Sequence, residues 1–372
     1  MKKCFCILIF LFIPFVLLGT DGEWEFRTAE NRILVEFEKI EPEIPENPNI
    51  YKTIACPYPE VKIVMNKCEV SIYGENGNFI KNQIVPGNER VELVDSFIMR
   101  ELIGHRVRIN LISEENGYKK VIKQCNFELV PLSQSSETVY LGISTSFLPA
   151  YRSIVDNFDE SYLGNLQVLT SHMLIITPQY MADFLSPFVD WKEARGITCT
   201  IATLTETGET SPEIKSFIQN AYETWENPPD YLLLIGDVEL LPSFYFGDEN
   251  NVTDHPYTLL EGDDYFPEIL VGRLSINSLM ELSTIINKIL KYEKEPYMEN
   301  PEWLKRALLV AGNYSESTPI PTTPVKVSRW LYDKMIDYGY TQVDTIFYPP
   351  TWPGTSEIAS AINNGVGFVS YR

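Results

Sequence analysis

The chain has 372 residues, long enough for two ordinary domains, and its 44% hydrophobic and 22% charged content excludes wholesale disorder. A net charge of −21, from 30 Lys and Arg against 51 Asp and Glu, argues against a nucleic-acid partner, which needs a basic face. The acidic surplus fits solubility first, and after it cation binding or a basic substrate.

Met1-Lys2-Lys3 followed by the apolar run from Cys4 to Leu18 reads as a secretory signal peptide, residues 1–20, ending near Gly19-Thr20. The run is too short for a permanent membrane span, and no cysteine follows it as a lipoprotein site requires. The mature protein is therefore expected to start near Asp21 and to be secreted or held at the cell surface. Cys56, Cys68, Cys125 and Cys199 remain in it. A Cys56–Cys68 bridge is sterically conceivable. The absence of a CxxC or Cys/His cluster argues against zinc, and Cys199 reads as a small core residue.

From Trp24 to about Leu148 the pattern alternates, as in Ile33/Val35/Phe37, Val70/Ile72, Val107/Ile109/Leu111 and Cys125/Phe127/Leu129. Asn76-Gly77 and Asn116-Gly117 mark hairpin turns between such runs. Residues 21–150 are thus predicted to form a β-sandwich, with His105 in its core.

From about Gln167 the period changes. Met173–Ile176 is predicted as a strand, with Thr177-Pro178 capping a helix that runs through Trp191 to Gly196 and is kinked at Pro187. Ile197–Ile201 is the next strand. Ser211-Pro212 opens a helix striped by Ile214, Phe217, Ile218, Ala221, Tyr222 and Trp225, and Pro228-Pro229 stops it. Tyr231–Ile235 reads as a strand covered on both faces, and Glu268–Val271 as another. Ser278-Leu279-Met280-Glu281 is a capping box ahead of Leu282, Ile285, Ile286 and Ile289. Ala307–Val310 and Gln342–Phe347 are strands around a helix from Pro324 to Tyr338, and a helix at Ser356–Ile362 precedes the strand Val366–Tyr371. Strands alternating with helices predict a right-handed, mainly parallel α/β sheet with flanking helices.

Several stretches of this region, taken as an ordered set, resemble the catalytic domain of gingipain-type cysteine peptidases, peptidase family C25. They are Pro229-Asp230-Tyr231-Leu232-Leu233-Leu234-Ile235-Gly236-Asp237, Leu241-Pro242, and Thr253-Asp254 with Tyr257. Gly262-Asp263-Asp264-Tyr265, Pro267-Glu268-Ile269-Leu270-Val271-Gly272-Arg273-Leu274-Ser275 and Tyr338-Gly339-Tyr340 follow, and then Asn364-Gly365-Val366-Gly367-Phe368-Val369-Ser370-Tyr371. The resemblance implies a caspase-like sheet over residues 165–372, with the β-rich region in the place of the family's pro-domain. It implies an exported cysteine-type endopeptidase acting on protein or peptide substrates through a Cys-His dyad.

In that family the strand matching Val366–Tyr371 is followed by a Gly-His-Gly turn, and the nucleophilic cysteine comes after the next strand. Both are expected beyond Arg372, so the 372-residue chain itself is expected to be inactive. None of His105, His172 and His255 matches the family histidine. Asn313, or else Glu316, occupies the place of a group that orients that histidine. Relatives specific for arginine or lysine use an acid that has no counterpart between Ser317 and Lys326 here. Two other readings stay open: a truncated or degenerate relative acting as a surface binding module, and a secretion-system sortase-like member of the family. A non-proteolytic hydrolase on a similar sheet is disfavoured, because no Gly-x-Ser-x-Gly elbow occurs and no nucleophilic serine follows Asp237.

At the carboxyl end of a central strand, Gly236 and Asp237 are expected to face the crevice where open α/β sheets bind ligands. Asp237 there is more simply a turn residue. The acidic stretch from Asp248 to Asp254, with Glu261, Asp263 and Asp264, offers oxygen ligands suited to calcium, although it lacks the EF-hand spacing. Asp254 and Asp263 are its best ligand candidates, and a solvated acidic loop is the simpler alternative. No cofactor is required by the reading.

Overall fold

The computed structural model describes residues 22–29, 32–39, 48–87, 90–133, 143–158, 168–247, 251–312, 323–348 and 355–372. The expected signal peptide lies outside them. No helix among the described residues is long and apolar enough to cross a membrane. The chain forms one compact unit running to Asn287 and a second from Lys288 to Arg372.

The first unit begins with β1 (Gly22–Ala29), β2 (Arg32–Lys39), β3 (Asn49–Ala55), β4 (Val61–Tyr73), β5 (Phe79–Ile84), β6 (Val91–Met99), β7 (Leu102–Asn110), β8 (Ile112–Glu115) and β9 (Tyr118–Pro131). All their pairings are antiparallel. One sheet runs β1-β2-β9-β4-β5, with β8 also on β9, and the facing sheet runs β3-β7-β6. The alternating residues of both sheets meet in one core that includes Val35, Phe37, Ile54, Val70, Val107, Ile109, Phe127 and Leu129. This is the expected sandwich. Asn116 and Gly117 both have positive φ and close the β8–β9 hairpin as a two-residue turn. His105 is a core residue, held by Ser96 Oγ at 2.7 Å and the Tyr58 carbonyl at 2.9 Å.

A strap follows, comprising β10 (Ile143–Ser144), α1 (Leu148–Ile154) and β11 (Val168–Leu169), with β10 and β11 parallel. Next come β12 (His172–Thr177), a 3-10 turn (Gln179–Leu185), α2 (Ser186–Ala194), β13 (Thr198–Thr203), α3 (Leu204–Thr207), α4 (Ser211–Thr224) and β14 (Tyr231–Ile235). The unit continues through β15 (Phe244–Phe246), β16 (Asn251–Thr253), β17 (Leu270–Leu274) and the start of α5 (Leu279–Lys294). Strands β13-β12-β14-β17 form an all-parallel sheet.

The predicted stripe of α4 is the face that covers this sheet, with Ile214, Ile218 and Ala221 buried against Leu174, Ile176, Leu232 and Leu234. Three details differ from the sequence reading. Pro187 does not kink a helix; it sits in the first turn of α2, where its missing N–H costs nothing. Thr177 does not cap the preceding turn. The strand expected at Glu268–Val271 runs instead from Leu270 to Leu274, because the Glu268 backbone N–H turns aside to the Thr258 carbonyl.

The sandwich and this sheet are joined through a buried polar cluster. Arg100, at the β6–β7 turn, has φ of 52° and is 2% exposed. Its guanidinium donates to the carbonyls of Pro229 and Glu268 at 2.8 and 2.9 Å, just ahead of β14 and β17. It pairs with Asp230 at 3.2 Å and Glu101 at 3.4 Å, and lies over the rings of Phe147 and Tyr222. Glu101 also accepts from the Tyr151 hydroxyl at 2.7 Å, and Asp230 from the His172 backbone N–H at 3.1 Å. Around the cluster, Ala55, Phe97, Met99 and Leu102 pack on Phe147, Tyr151, Val155, Phe266 and Leu270. After α1, the Asp156 and Asn157 side chains accept from the Thr53 and Ala55 N–H groups on the edge of β3.

The second unit contains the end of α5, β18 (Arg306–Gly312), α6 (Pro324–Tyr338), β19 (Gln342–Tyr348), α7 (Thr355–Asn363) and β20 (Phe368–Tyr371). Its described strands make a parallel sheet ordered β19-β18-β20, so the larger parallel sheets among the described residues are two, beside the short β10-β11 pair. One face packs Ala307, Leu309 and Met335, and the other Leu308, Val310 and Ala361. Gly339 closes α6 in the left-handed region, as expected. Gly367 is required by space, since a Cβ there would sit 2.9 Å from the Trp303 carbonyl oxygen.

Candidate functional site

The carboxyl edge of the first parallel sheet is built around the end of β14. Gly236 has φ of 133°, a conformation that side-chain-bearing residues rarely adopt, and its N–H donates to the Leu274 carbonyl at 3.0 Å. The Asp237 N–H donates to the Ile276 carbonyl, while the Asp237 carbonyl accepts from both Leu240 and Leu241 at 2.8 Å. One oxygen of the Asp237 carboxylate accepts from the Val238 N–H at 2.9 Å, and the other faces the Asn277 amide at 3.4 Å. Gly236 and Asp237 therefore lie at the strand end as the sequence places them, with Asp237 serving the turn.

What organises this edge is Arg273 on β17. Its Nε and Nη2 make a bidentate pair with Asp254 at 2.8 and 2.7 Å, and its Nη1 donates to the Gly236 and Leu241 carbonyls, both at 2.8 Å. Ser243 Oγ donates to the Thr253 carbonyl and to Asp254. One guanidinium thus ties the turn after β14 to the β15–β16 hairpin, as only a planar fork of donors can. Its signal in the sequence is an arginine inside the otherwise apolar run Ile269-Leu270-Val271-Gly272-Arg273-Leu274.

This pairing changes the reading of the acidic loop. Asp254, offered as a calcium ligand, is an ion-pair partner whose two oxygens are occupied by Arg273 and Ser243. Asp263 is exposed, and Asp264 accepts from the Ile98 and Phe266 N–H groups at 2.9 and 2.7 Å. Asp248 and Glu249 lie outside the described residues. Among the described residues no three His, Cys, Asp or Glu side chains are grouped to hold a metal ion. His255 is half-buried beside the clamp, with Nδ1 3.4 Å from Thr258 Oγ1. His172 is held by the Asn227 carbonyl and Thr200 Oγ1 and stacks on Trp225.

At the opposite, amino edge of the sheet lies Glu268, fully buried. One of its carboxylate oxygens accepts from the Leu260 and Glu261 N–H groups at 2.6 and 3.1 Å. Burial raises its pKa to about 7 against the opposing pull of those two bonds, and neighbouring Glu261 and Asp264 push the same way. Lys215 nearby donates to the Leu259 carbonyl, and burial lowers its pKa to about 8.

In the second unit the central strand β18 and the strand β20 leave the sheet side by side. Val310 is the register partner of Tyr371, the Arg372 N–H donates to the Val310 carbonyl at 2.9 Å, and the Gly312 N–H to the Arg372 carbonyl at 3.0 Å. Asn313 and Glu316, the expected histidine-orienting candidates, lie outside the described residues. A thiol nucleophile needs a lowered pKa. Here burial raises the thiols of Cys56, Cys68 and Cys125, and raises Cys199 to about 11.

Comparison with known proteins gives these elements a family. The chain is 26% identical over 311 residues to Gingipain R2 of Porphyromonas gingivalis, an alignment covering 81% of this chain and 41% of that protein. It is 32% identical over 236 residues to Lys-gingipain of the same organism, covering 62% of this chain and 13% of that protein. The chain therefore spans less than half the length of these relatives. A solved complex of the pro- and mature domains of RgpB from Porphyromonas gingivalis aligns with a TM-score of 0.48 and 26% identity, over 54% of this chain and 47% of that one. The family model described as Peptidase family C25 matches residues 168–372, from β11 through β20 and so across more than half of the sequence. On that match, the chain belongs to peptidase family C25.

Proposed function

We propose that this chain is the pro-domain-like sandwich and the front part of the peptidase region of an exported, gingipain-like cysteine endopeptidase. The observation that carries the reading is the family match over residues 168–372, which takes in the β13-β12-β14-β17 and β19-β18-β20 sheets. In such an enzyme a histidine takes the proton of a cysteine thiol, and the thiolate attacks the carbonyl carbon of a peptide bond. By the family resemblance, the histidine would lie in the turn after β20 and the cysteine after a further strand. The described ends of β18 and β20 are direct neighbours, which supports a site at this strand edge. Asn313 or Glu316 would then orient the imidazole, as an amide does in papain-like sites.

Burial raises the pKa of each thiol among the described residues, away from the lowered value a nucleophilic cysteine needs, which supports an inactive 372-residue chain. The experiment compares that chain with one continued through the codons that follow Arg372. Both are assayed on casein and on peptides varied at the residue before the cut, with and without a thiol-alkylating reagent. Alkylation-sensitive cleavage by the continued chain alone is expected. Cleavage by the 372-residue chain that survives Cys199→Ala, or none by the continued chain, overturns the reading. A stop codon directly after Arg372 favours the surface binding module instead.

A further inference from the structure

We propose that Cys68 and Cys125 become joined as a disulfide across the β4–β9 pair while the chain folds in an oxidising compartment. The compartment rests on the export reading above, whereas the pairing rests on register alone. Cys68 and Cys125 are direct partners in the antiparallel ladder of β4 and β9. Residues opposite one another in such a ladder have Cα atoms roughly 4.5–5.5 Å apart. That lies within the roughly 4.4–6.8 Å that a disulfide spans. Opposed residues also point to the same face, and here both side chains enter the sandwich core, 1% and 0% exposed.

The register favours this pair over the Cys56–Cys68 bridge that the sequence leaves conceivable. Cys56 lies in the same core, but it follows β3 in the facing sheet, where its N–H bonds to the Ile103 carbonyl. The central strand pair brings Cys68 to Cys125, both free thiols in this structure, and leaves Cys56 as the odd thiol of the sandwich.

The burial that shields the pair also sets when the bond forms. Inside the finished core no oxidant reaches the sulfurs, so exchange precedes closure of the two sheets. One cysteine thiolate attacks a sulfur of an external disulfide, either a small molecule or a thiol oxidoreductase. A mixed disulfide forms and one external thiolate leaves. The second cysteine thiolate then attacks the protein sulfur of that mixed disulfide and expels the other external thiolate. The protein gives up two protons and two electrons, and the external disulfide is reduced to two thiols. The bond encloses β5 to β8, and with them the β6–β7 turn that carries Arg100.

The test refolds the full chain from denaturant, once in a glutathione redox buffer and once in a strong reductant, followed by non-reducing peptide mapping by mass spectrometry. A linked Cys68–Cys125 peptide, lighter by two hydrogens than its separated halves, is expected from the redox buffer. The bridged chain should melt on the order of 10 °C higher, since the closed loop is long. Cys125→Ala should abolish that difference, and Cys56→Ala should leave it. Free, alkylatable Cys68 and Cys125 after redox refolding, or a bridge from either one to Cys56, overturns the proposal. A bridge formed on refolding, with free thiols in the protein made by its natural host, supports the pairing and overturns the export reading.

Discussion

Arg100→Met keeps a flexible stem of similar length but removes the guanidinium from a site where Asp230 and Glu101 are each about as buried as the arginine. Breaking a buried pair by removing one partner typically costs about 3–5 kcal/mol, because the remaining charge stays desolvated. Here two carboxylates are left, and the Pro229 and Glu268 carbonyls also lose their donor. We expect a loss of about 4 kcal/mol, roughly a thousandfold in the ratio of folded to unfolded protein. Guanidinium-chloride unfolding followed by tryptophan fluorescence measures it. Adding Asp230→Asn should return part of the loss, since asparagine can still accept from the His172 N–H without carrying charge. Arg100→Lys should fall between, because an ammonium cannot serve two carbonyls and two acids from one plane. A loss below about 1 kcal/mol in Arg100→Met, with no recovery in the double variant, would refute the assignment of Arg100 as the tie between sandwich and sheet.

Two further outcomes follow from named groups. Glu268 binds its proton more tightly folded than unfolded, so its contribution is present below pH 4.5 and is lost as pH rises through about 7. Urea unfolding should show stability falling between pH 4.5 and 8 by on the order of 3 kcal/mol from this group, and Glu268→Gln should flatten that slope; an unchanged slope contradicts it. Arg273→Lys should loosen the strand-end turn, seen as faster amide exchange at Leu240 and Leu241 with little change in the sandwich. Exchange equal to that of the parent would mean the clamp does not hold the edge.

Local pattern and tertiary context divide cleanly in particular elements. The sandwich was legible because alternation over Ile33/Val35/Phe37 and Cys125/Phe127/Leu129 has a single buried solution, and a one-residue slip would turn each set to water. The stripe of α4 was legible for the same reason at the helical period. Pro187 was misread because a proline suits the first turn of a helix as well as it kinks one, and only the preceding 3-10 turn distinguishes the two. The arginine that meets Asp254 is not legible in the sequence, because a carboxylate in an acidic stretch looks the same whether it meets a cation or an arginine nineteen residues away.

From the amino-acid order alone came the two kinds of region, the mainly parallel α/β design and the family that the strand-end motifs resemble. These depend on periods and short spacings, which a linear sequence carries in full. Only the folded chain decided which charges meet. Arg100 reaches Asp230 and Arg273 reaches Asp254 through sheet order and register. Cys68 faces Cys125 rather than Cys56 because β9, not β3, is the neighbour of β4. Such pairings arise when distant strands come to lie side by side, and no local pattern encodes which strands those will be.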